Sequence, residues 1–327
     1  MIKKLLKIIS GPIRQFLGLK LILTQEFKTQ SLLRELRMMQ IKQDHLLKQA
    51  ISYTEYYQLD KERLKTSDKY RRFHQLIGLL SPMDIRKANY RRVGRDYDGG
   101  YVMLDDFSAS NVDAAYSFGI SDDVSWDESM ADLGIDIYMY DHTISALPKN
   151  HPRFHFTRKG VTGHLASSDL ETLSTLIMQN GHQDSDKLLL KMDIEGNEWD
   201  VFDETPSEII NQFSQITIEL HGLIPDPYRG EIGKIISVLD KINQTHQSVH
   251  VHANGSCEVD WLGDTALPSL LEVTYIRRSS YQDRFIPNKR TFPTEIDQPT
   301  QEWLPEVPLG TFSVATWDQP GTSKQQD

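Results

Sequence analysis

The stretch KLLLKMDIEGNEWDVF, residues 187–202, runs three leucines directly into a group of carboxylates. Leucines at 188–190 form a continuous apolar run, which is typical of a strand buried on both faces of a sheet. Asp193, Glu195 and Glu198 follow closely. In open α/β sheets, ligands bind beyond the carboxyl ends of the strands. The stretch therefore predicts a central strand that delivers Asp193 and Glu195 to a site, while Glu198 begins the next helix.

Six more segments have the composition of strands, and helical segments separate several of them. These segments are residues 113–120, 136–142, 153–157, 214–222, 248–255 and 269–278. Strands that alternate with helices are typical of a parallel sheet with helices on both faces. We therefore predict an α/β fold on a doubly wound, seven-stranded, mostly parallel sheet, preceded by a helix over about residues 70–89.

The bulk composition is that of an acidic globular protein: 327 residues, 39% hydrophobic, with a formal net charge of −10. This charge excludes broad nucleic-acid binding, which requires a basic surface to displace counterions. The single cysteine, Cys257, excludes an internal disulfide and favours a reducing compartment. No apolar run approaches the ~20 residues that a membrane span needs, so we expect a cytoplasmic protein.

Two helical segments precede the globular part. Residues 1–23 set apolar residues at helical spacing opposite basic ones. This pattern is typical of a helix on an anionic membrane, and equally of a helix packed on the protein itself or on a partner. A heptad seam within residues 24–66 predicts a coiled coil or an arm that folds back on the globular domain. Its members are Leu32, Leu36, Met39, Gln43, Leu46, Ala50, Tyr53 and Tyr57. Peripheral contact with the inner face of a membrane through residues 1–23 is thus one of the interpretations that stay open, and we expect homo-oligomerisation through residues 24–66.

Residues with catalytic potential follow the strand ends. Gly119 allows close approach of a ligand. Asp141 ends the second strand, where a carboxylate commonly accepts hydrogen bonds from ribose hydroxyls; the alternative is that it caps a turn. Two later strands each place polar residues on one face, because side chains alternate with a period of two. These residues are Glu219 with His221, and His250, His252 and Asn254. The group could hold a divalent metal on Asp193, Glu219 and His252, or act as general acid and base.

Six motifs occur in an order that resembles a known family. They are DGGYVML (98–104), AYSFGISDDVSWD (115–127), YMYDHT (138–143), FTRKGVTG (156–163), LLKMDIEGNEWDVF (189–202) and ITIELHG (216–222). The chain resembles FkbM-like, methyltransferase-like proteins of the class I, S-adenosylmethionine-dependent group over about residues 90–280. The segment FPTEIDQPT, 292–300, is similar to the C-terminal part of that family. The resemblance implies a Rossmann-like seven-stranded sheet with an antiparallel last strand.

The resemblance also implies roles for particular residues in binding S-adenosylmethionine. Phe118, Gly119 and Ile120 would cradle the methionine part, Asp141 the ribose, and Val161 would lie near the adenine. Asp98, Gly99 and Gly100 would form a hairpin lid, and Asp193 and Glu195 would lie beside the methyl group. The single Gly119 departs from the family's usual two or three glycines.

The predicted function is O-methylation of a hydroxyl on a sugar, a glycan or another small molecule. Asp193 or His221 would act as the base, and Glu219 and His252 would orient it or hold a metal. Two other functions fit the residues: a non-catalytic oligomeric scaffold on the same fold, and a metal-dependent hydrolase. The predicted domains are a basic helix (1–23), an arm (24–69), a methyltransferase domain (70–280) and an extended C-terminal segment (281–327).

Overall fold

The structure is a computed structural model that describes residues 28–44, 46–48, 50–51, 67–224, 232–262 and 265–313. The predicted basic helix over residues 1–23 lies outside these ranges, as do the heptad positions at 53 and 57 and the tail from residue 314. Residues 28–44, 46–48 and 50–51 are helical. Among the described residues, none of the helices combines the length and the hydrophobicity that a bilayer crossing requires.

Strands and helices alternate along the described part of the globular region. The strands are β1 (Met83–Ile85), β2 (Tyr90–Val93), β3 (Tyr101–Leu104), β4 (Ala114–Phe118), β5 (Ile137–Tyr140), β6 (Phe154–Thr157), β7 (Gly160–Val161), β8 (Leu170–Glu171), β9 (Leu188–Met192), β10 (Phe213–His221), β11 (His246–Ala253), β12 (Val259–Leu262), β13 (Thr265–Pro268), β14 (Leu270–Arg277) and β15 (Phe285–Pro287). The helices are α1 (Asp68–Leu80), α2 (Ser125–Asp132), α3 (Leu173–Gln179), α4 (Glu198–Glu204), α5 (Ser207–Ile210) and α6 (Ile232–Thr245).

Seven of these strands form one mixed sheet in the order β11-β14-β10-β9-β4-β5-β6. The pairs β10–β9, β9–β4, β4–β5 and β5–β6 are parallel. Both neighbours of β14, namely β10 and β11, pair with it antiparallel. The predicted α/β class and the seven-stranded sheet flanked by helices are confirmed, and each strand-like segment of the sequence supplies one strand.

The two faces of the sheet are covered by different elements. On β9, Leu188 and Leu190 pack into the core cluster that also contains buried residues of α1, α3, α4 and α6. Leu189 belongs to the opposite cluster, which includes Tyr101 of β3 and Trp126 of α2. Because side chains alternate along a strand, the positions that follow Leu189 in steps of two, Lys191 and Asp193, share its face. The hairpin formed by β2 and β3 therefore covers the face that carries these polar side chains.

The predicted helix over residues 70–89 is shorter than expected. Helix α1 ends at Leu80, and β1 begins at Met83. Pro82 explains the early end, because proline has no N–H for the helix and disfavours helical backbone in the residue before it. Ser81 accordingly has an extended ψ of 120°.

The C-terminal segment runs back over the hairpin and the end of β11. Strand β15 pairs antiparallel with β1. Beyond it, the backbone oxygen of Thr300 accepts a hydrogen bond from Asp98 N at 3.0 Å, and the Thr300 hydroxyl accepts one from Gly255 N at 3.0 Å. These contacts join the loop between β2 and β3 to the body of the protein.

Candidate functional site

Three predicted residues meet where β9 and β10 end. Asp193 follows β9, and Glu219 and His221 are the last residues of β10 that face the hairpin side. Nε2 of His221 lies 3.7 Å from Oε2 of Glu219 and 3.9 Å from Oδ1 of Asp193. One ligating atom from each of the three lies within 4.8 Å of the others. The parallel pairing of β9 with β10 places these strand ends side by side.

Two more carboxylates surround the His221 ring. Oε2 of Glu195 lies 3.5 Å from Nε2, and Oε1 of the buried Glu198 lies 3.2 Å from Nδ1. Burial alone would lower the pKa of His221, but the adjacent Glu198 carboxylate and the charges of Glu219 and Asp193 outweigh burial and raise it. The imidazole therefore lies in a strongly negative environment.

Glu219 is almost completely buried, and its carboxylate is held from one side. Oε1 accepts a hydrogen bond from Asn254 Nδ2 at 3.0 Å. Burial, followed by the charges of Asp193 and Glu272, raises the pKa of Glu219 well above its ordinary value. A buried carboxylate beside other acids favours a bound proton or a bound cation.

The hairpin formed by β2 and β3 also contacts the cluster of Asp193, Glu219 and His221. The Tyr101 hydroxyl donates to Oδ2 of Asp193 at 3.2 Å. Burial, then the charges of Glu272 and Asp193, raises the pKa of Asp98 in the loop between β2 and β3. Asp98 is thus close enough to these acids for their charges to act on it, and its role in a lid stays a prediction. Gly99 and Gly100 have packing roles, because a β-carbon would lie 2.2 Å from Asp123 Oδ2 at Gly99 and 2.3 Å from Arg95 O at Gly100.

The glycine turn after β4 is tied to the end of β5 through Asp141. Oδ2 of Asp141 accepts hydrogen bonds from the backbone N–H groups of Ile120 and Ser121, each at 2.9 Å. Oδ1 accepts from the backbone N–H and the hydroxyl of Thr143, at 2.7 and 2.6 Å. Burial would raise the pKa of Asp141, but these hydrogen bonds together lower it. The carboxylate that was predicted to bind ribose already orders the turn.

Phe118, Ile120 and Val161 are buried rather than open to a ligand. Phe118 and Val161 pack in one core cluster, whereas Ile120 packs in the other. Any contact that they make with a bound molecule would therefore come mainly from the backbone. The cradle stays a prediction, and it would consist of main-chain groups around Gly119, which has a φ of +76°.

His252, which was predicted to bind a metal together with Asp193 and Glu219, is paired with other residues in the structure. Nδ1 of His252 lies 3.0 Å from Glu272 Oε2, and Nε2 lies 3.0 Å from Glu306 Oε2, so both ring nitrogens are engaged. The physical reason is strand order: β14 lies between β10 and β11, and Glu272 is the register partner of both Glu219 and His252. His250, on the same face, is paired with Asp297 at 2.9 Å.

Sequence reasoning missed three residues that shape the site. Lys191 is buried and donates from Nζ to the backbone oxygen of Gly119 at 2.6 Å. Glu272 lies between Glu219 and His252, and Tyr101 binds Asp193. The available signal for Lys191 and Glu272 was a charged residue within a strongly apolar strand, since such a charge is rarely buried without a partner.

Backbone strain is concentrated around the same site. Three non-glycine residues that border it have left-handed backbone: Tyr97 with φ +65°, Ser121 with φ +49° and Glu195 with φ +58°. Such conformations persist only where the surrounding structure imposes them, and they cluster at ligand sites. They lie in the lid loop, the glycine turn and the loop after β9.

Comparison with known families agrees with this location. A family model described as "Methyltransferase FkbM domain" matches residues 113–248. The match includes Gly119, Asp141, Asp193, Glu219 and His221, and it leaves out the hairpin and β14. No curated protein gives a significant match. The predicted resemblance to FkbM-like methyltransferases is confirmed over the matched region.

Proposed function

We propose that this FkbM-like methyltransferase uses S-adenosylmethionine and transfers its methyl group to a hydroxyl oxygen of a sugar, a glycan or another small molecule. The observation that carries the proposal is the group of Asp193, Glu219 and His221 at adjacent strand ends, inside the matched region. In doubly wound sheets the carboxyl ends of the strands are where ligands bind.

The chemistry of the site residues fits the cationic end of the donor. S-adenosylmethionine carries a sulfonium and an ammonium group, and carboxylates stabilise both cations. The charges of Asp193 and Glu272 act on both Asp98 and Glu219 at this position. The fit at the ribose end is more restricted, because a carboxylate has about four acceptor sites and Asp141 already uses four donors. A ribose hydroxyl would bind there by replacing the rotatable Thr143 hydroxyl.

When bound, S-adenosylmethionine supplies an electrophilic methyl group on sulfur. The chain's own residues have to place a hydroxyl in line with that group and remove its proton. Tyr101 holds Oδ2 of Asp193, and no hydrogen bond to Oδ1 comes from any described residue. Oδ1 faces His221 at 3.9 Å. We assign the base to Asp193 and the orientation of the acceptor to His221 and Glu219.

The electrostatics of the site support a neutral polyhydroxyl acceptor. Several carboxylates surround the His221 ring, so an anionic acceptor would be repelled. Carboxylates at this spacing accept hydrogen bonds from neighbouring hydroxyls, as found on sugars.

The test is donor binding followed by methyl transfer. Isothermal titration of the full-length protein with S-adenosylmethionine should show saturable binding at micromolar concentration. With isotopically labelled donor and a panel of sugars and glycans, mass spectrometry should detect a methylated product. Asp193→Asn should reduce turnover by about 100-fold or more.

The matched control is Asp200→Asn, because Asp200 also pairs with a histidine, His164, at 3.0 Å but on another part of the protein. It should retain turnover. Absence of donor binding by the folded protein at high micromolar concentration would refute the enzyme proposal and favour the non-catalytic scaffold.

A further inference from the structure

We infer that Asp193, Glu219 and His221 form a binding site for a divalent cation, with one imidazole nitrogen and two carboxylate oxygens as ligands. The binding itself is independent of methyl transfer. Its suggested role, to hold an oxygen of the acceptor next to the methyl donor, rests on the proposed function; with the ion bound, Asp193 would act as a ligand and the ion, in place of that base, would lower the pKa of the acceptor hydroxyl.

The distances among the three side chains suit a shared ion better than direct contacts. Nε2 of His221 is 3.7 Å from Glu219 Oε2 and 3.9 Å from Asp193 Oδ1, both too long for hydrogen bonds. Ligand atoms lie roughly 2.0–2.5 Å from a divalent ion, so neighbouring ligands are about 3–4 Å apart. All three ligating atoms fall within 4.8 Å of one another. A small contraction of the side chains would complete the coordination.

The second observation is a largely buried carboxylate whose second oxygen faces the imidazole beyond hydrogen-bond distance. The Glu219 side chain is 9% exposed, and its Oε1 is held by Asn254. Among the residues that the structure describes, nothing donates a hydrogen bond to Oε2, which is directed at Nε2 of His221. A carboxylate charge in a largely buried position is unfavourable unless an opposite charge lies close to it. A cation between Oε2 and Nε2 would remove this penalty.

The surroundings of the ligands are those of an oriented metal site. Metal-binding histidines generally give their second nitrogen to a carboxylate, which fixes the ring and its tautomer. Here Glu198 Oε1, on a completely buried side chain, lies 3.2 Å from Nδ1 of His221. Asn254 fixes Glu219, and Tyr101 fixes Asp193. The two carboxylate ligands thus each have a supporting residue, and Nε2 of His221 faces both carboxylates.

The charge balance also points to a cation. The site gathers Asp193, Glu195, Glu198 and Glu219 around the single imidazole of His221. The ring nitrogens of His252, on the neighbouring part of the sheet, already pair with Glu272 and Glu306. Two carboxylates and one imidazole, without a thiolate, suit hard or borderline ions such as Mg²⁺, Mn²⁺ and Zn²⁺. Glu195 Oε2, 3.5 Å from Nε2 on an 88% exposed side chain, is placed to add a fourth ligand.

The experiment uses full-length protein freed of metal with a chelator and titrated with Mn²⁺, followed by electron paramagnetic resonance. We expect one bound Mn²⁺ per chain, and a loss of affinity of at least ~10-fold in Glu219→Gln and in His221→Gln. His164→Gln is the matched control, because His164 pairs with a single carboxylate, Asp200, and should leave affinity unchanged. Competition with Mg²⁺ and Zn²⁺ identifies the preferred ion.

A measurement on the unmodified protein covers the case in which the variants fold poorly. Electron spin echo modulation should detect one imidazole nitrogen coupled to the bound Mn²⁺. Failure of the chelated protein to bind Mn²⁺, Mg²⁺ or Zn²⁺ below millimolar concentration would overturn the inference, as would binding without nitrogen coupling. Titration of the same sample with S-adenosylmethionine separates failure of the metal site from failure of the proposed function.

Discussion

Gly119 lies so close to Asp193 that a β-carbon on the glycine would be 1.6 Å from the backbone oxygen of Asp193. In the other direction, Asp193 N donates to the backbone oxygen of Phe118 at 3.1 Å. The ends of β4 and β9 are therefore joined at the point where the site begins. The glycine is required by the packing of two strand ends as well as by any ligand.

Replacement of Gly119 should consequently damage folding more than its backbone angle alone predicts. We expect Gly119→Ala to lower the free energy of unfolding by ~3 kcal/mol or more, because the clash is with backbone and cannot relax. Gly181→Ala is the matched control: its φ is +79°, close to the +76° of Gly119, but nothing lies within 4 Å of the added carbon. The control should cost only ~1–2 kcal/mol, the price of left-handed backbone. Urea unfolding measures both, and equal losses would contradict the packing role.

The sequence allowed much of the sheet to be predicted and less of the site. Alternation along β10 correctly indicated that Glu219 and His221 would share a face, and the end of β9 correctly placed Asp193 at the same edge of the sheet. Alternation says nothing about which strand is the neighbour, so the insertion of β14 between β10 and β11, with Glu272 opposite His252, could not be foreseen. The length of α1 was predictable in principle, because Pro82 follows its end closely. The hydrogen bond of Lys191 depends on a turn in a distant segment, and no local pattern reveals it.

Lys191 supports the same turn and also balances a buried acid. Asp127 on α2 is buried, and burial raises its pKa to about 6, although the charge of Lys191 opposes this rise. Lys191→Met would remove the cation near Asp127 and the hydrogen bond to the backbone oxygen of Gly119, at ~1–3 kcal/mol of unfolding free energy. Adding Asp127→Asn should restore part of that loss, since the uncompensated charge disappears. Urea unfolding of both single variants and the double variant gives the coupling. Strictly additive losses would show that the two side chains do not interact.

His246 should make the protein sensitive to acid. Its ring is fully buried, Nε2 lies 2.9 Å from Phe213 O, and burial lowers its pKa to about 4. Below pH ~6.5 the unfolded chain takes up a proton that the folded protein refuses until about pH 4, so stability falls as the pH drops through this window. The shifted pKa of this one group lowers the free energy of unfolding by ~3 kcal/mol between about pH 6.5 and about pH 4.

The measurement is the urea midpoint between pH 7.5 and 4. His246→Gln should flatten the acid slope by about one proton, whereas His164→Gln, at an exposed position, should leave it unchanged. The contribution of His252 to stability depends on pH in the opposite direction. Burial would lower its pKa, but Glu272 and Glu306 raise it to about 10, so its contribution is complete below pH ~6.5 and is lost toward pH 10. An unchanged acid slope in His246→Gln would refute the assignment.

The N-terminal helical segment exposes an apolar surface that self-association would cover. The large apolar side chains that are at least half exposed on it are Leu32, Leu33, Leu36, Met39, Leu46, Leu47 and Ile51. Four of them occupy the heptad positions of the seam, and a contiguous apolar surface of this kind marks an interface.

We expect the full-length protein to be a homo-oligomer by light scattering. Leu36→Gln combined with Leu46→Gln should weaken self-association by ~100-fold or more, since each chain loses two leucines that the oligomer would bury. Leu165→Gln, at a 94% exposed position elsewhere, should leave the oligomer intact. A monomeric wild-type protein would instead mean that this helix docks another partner.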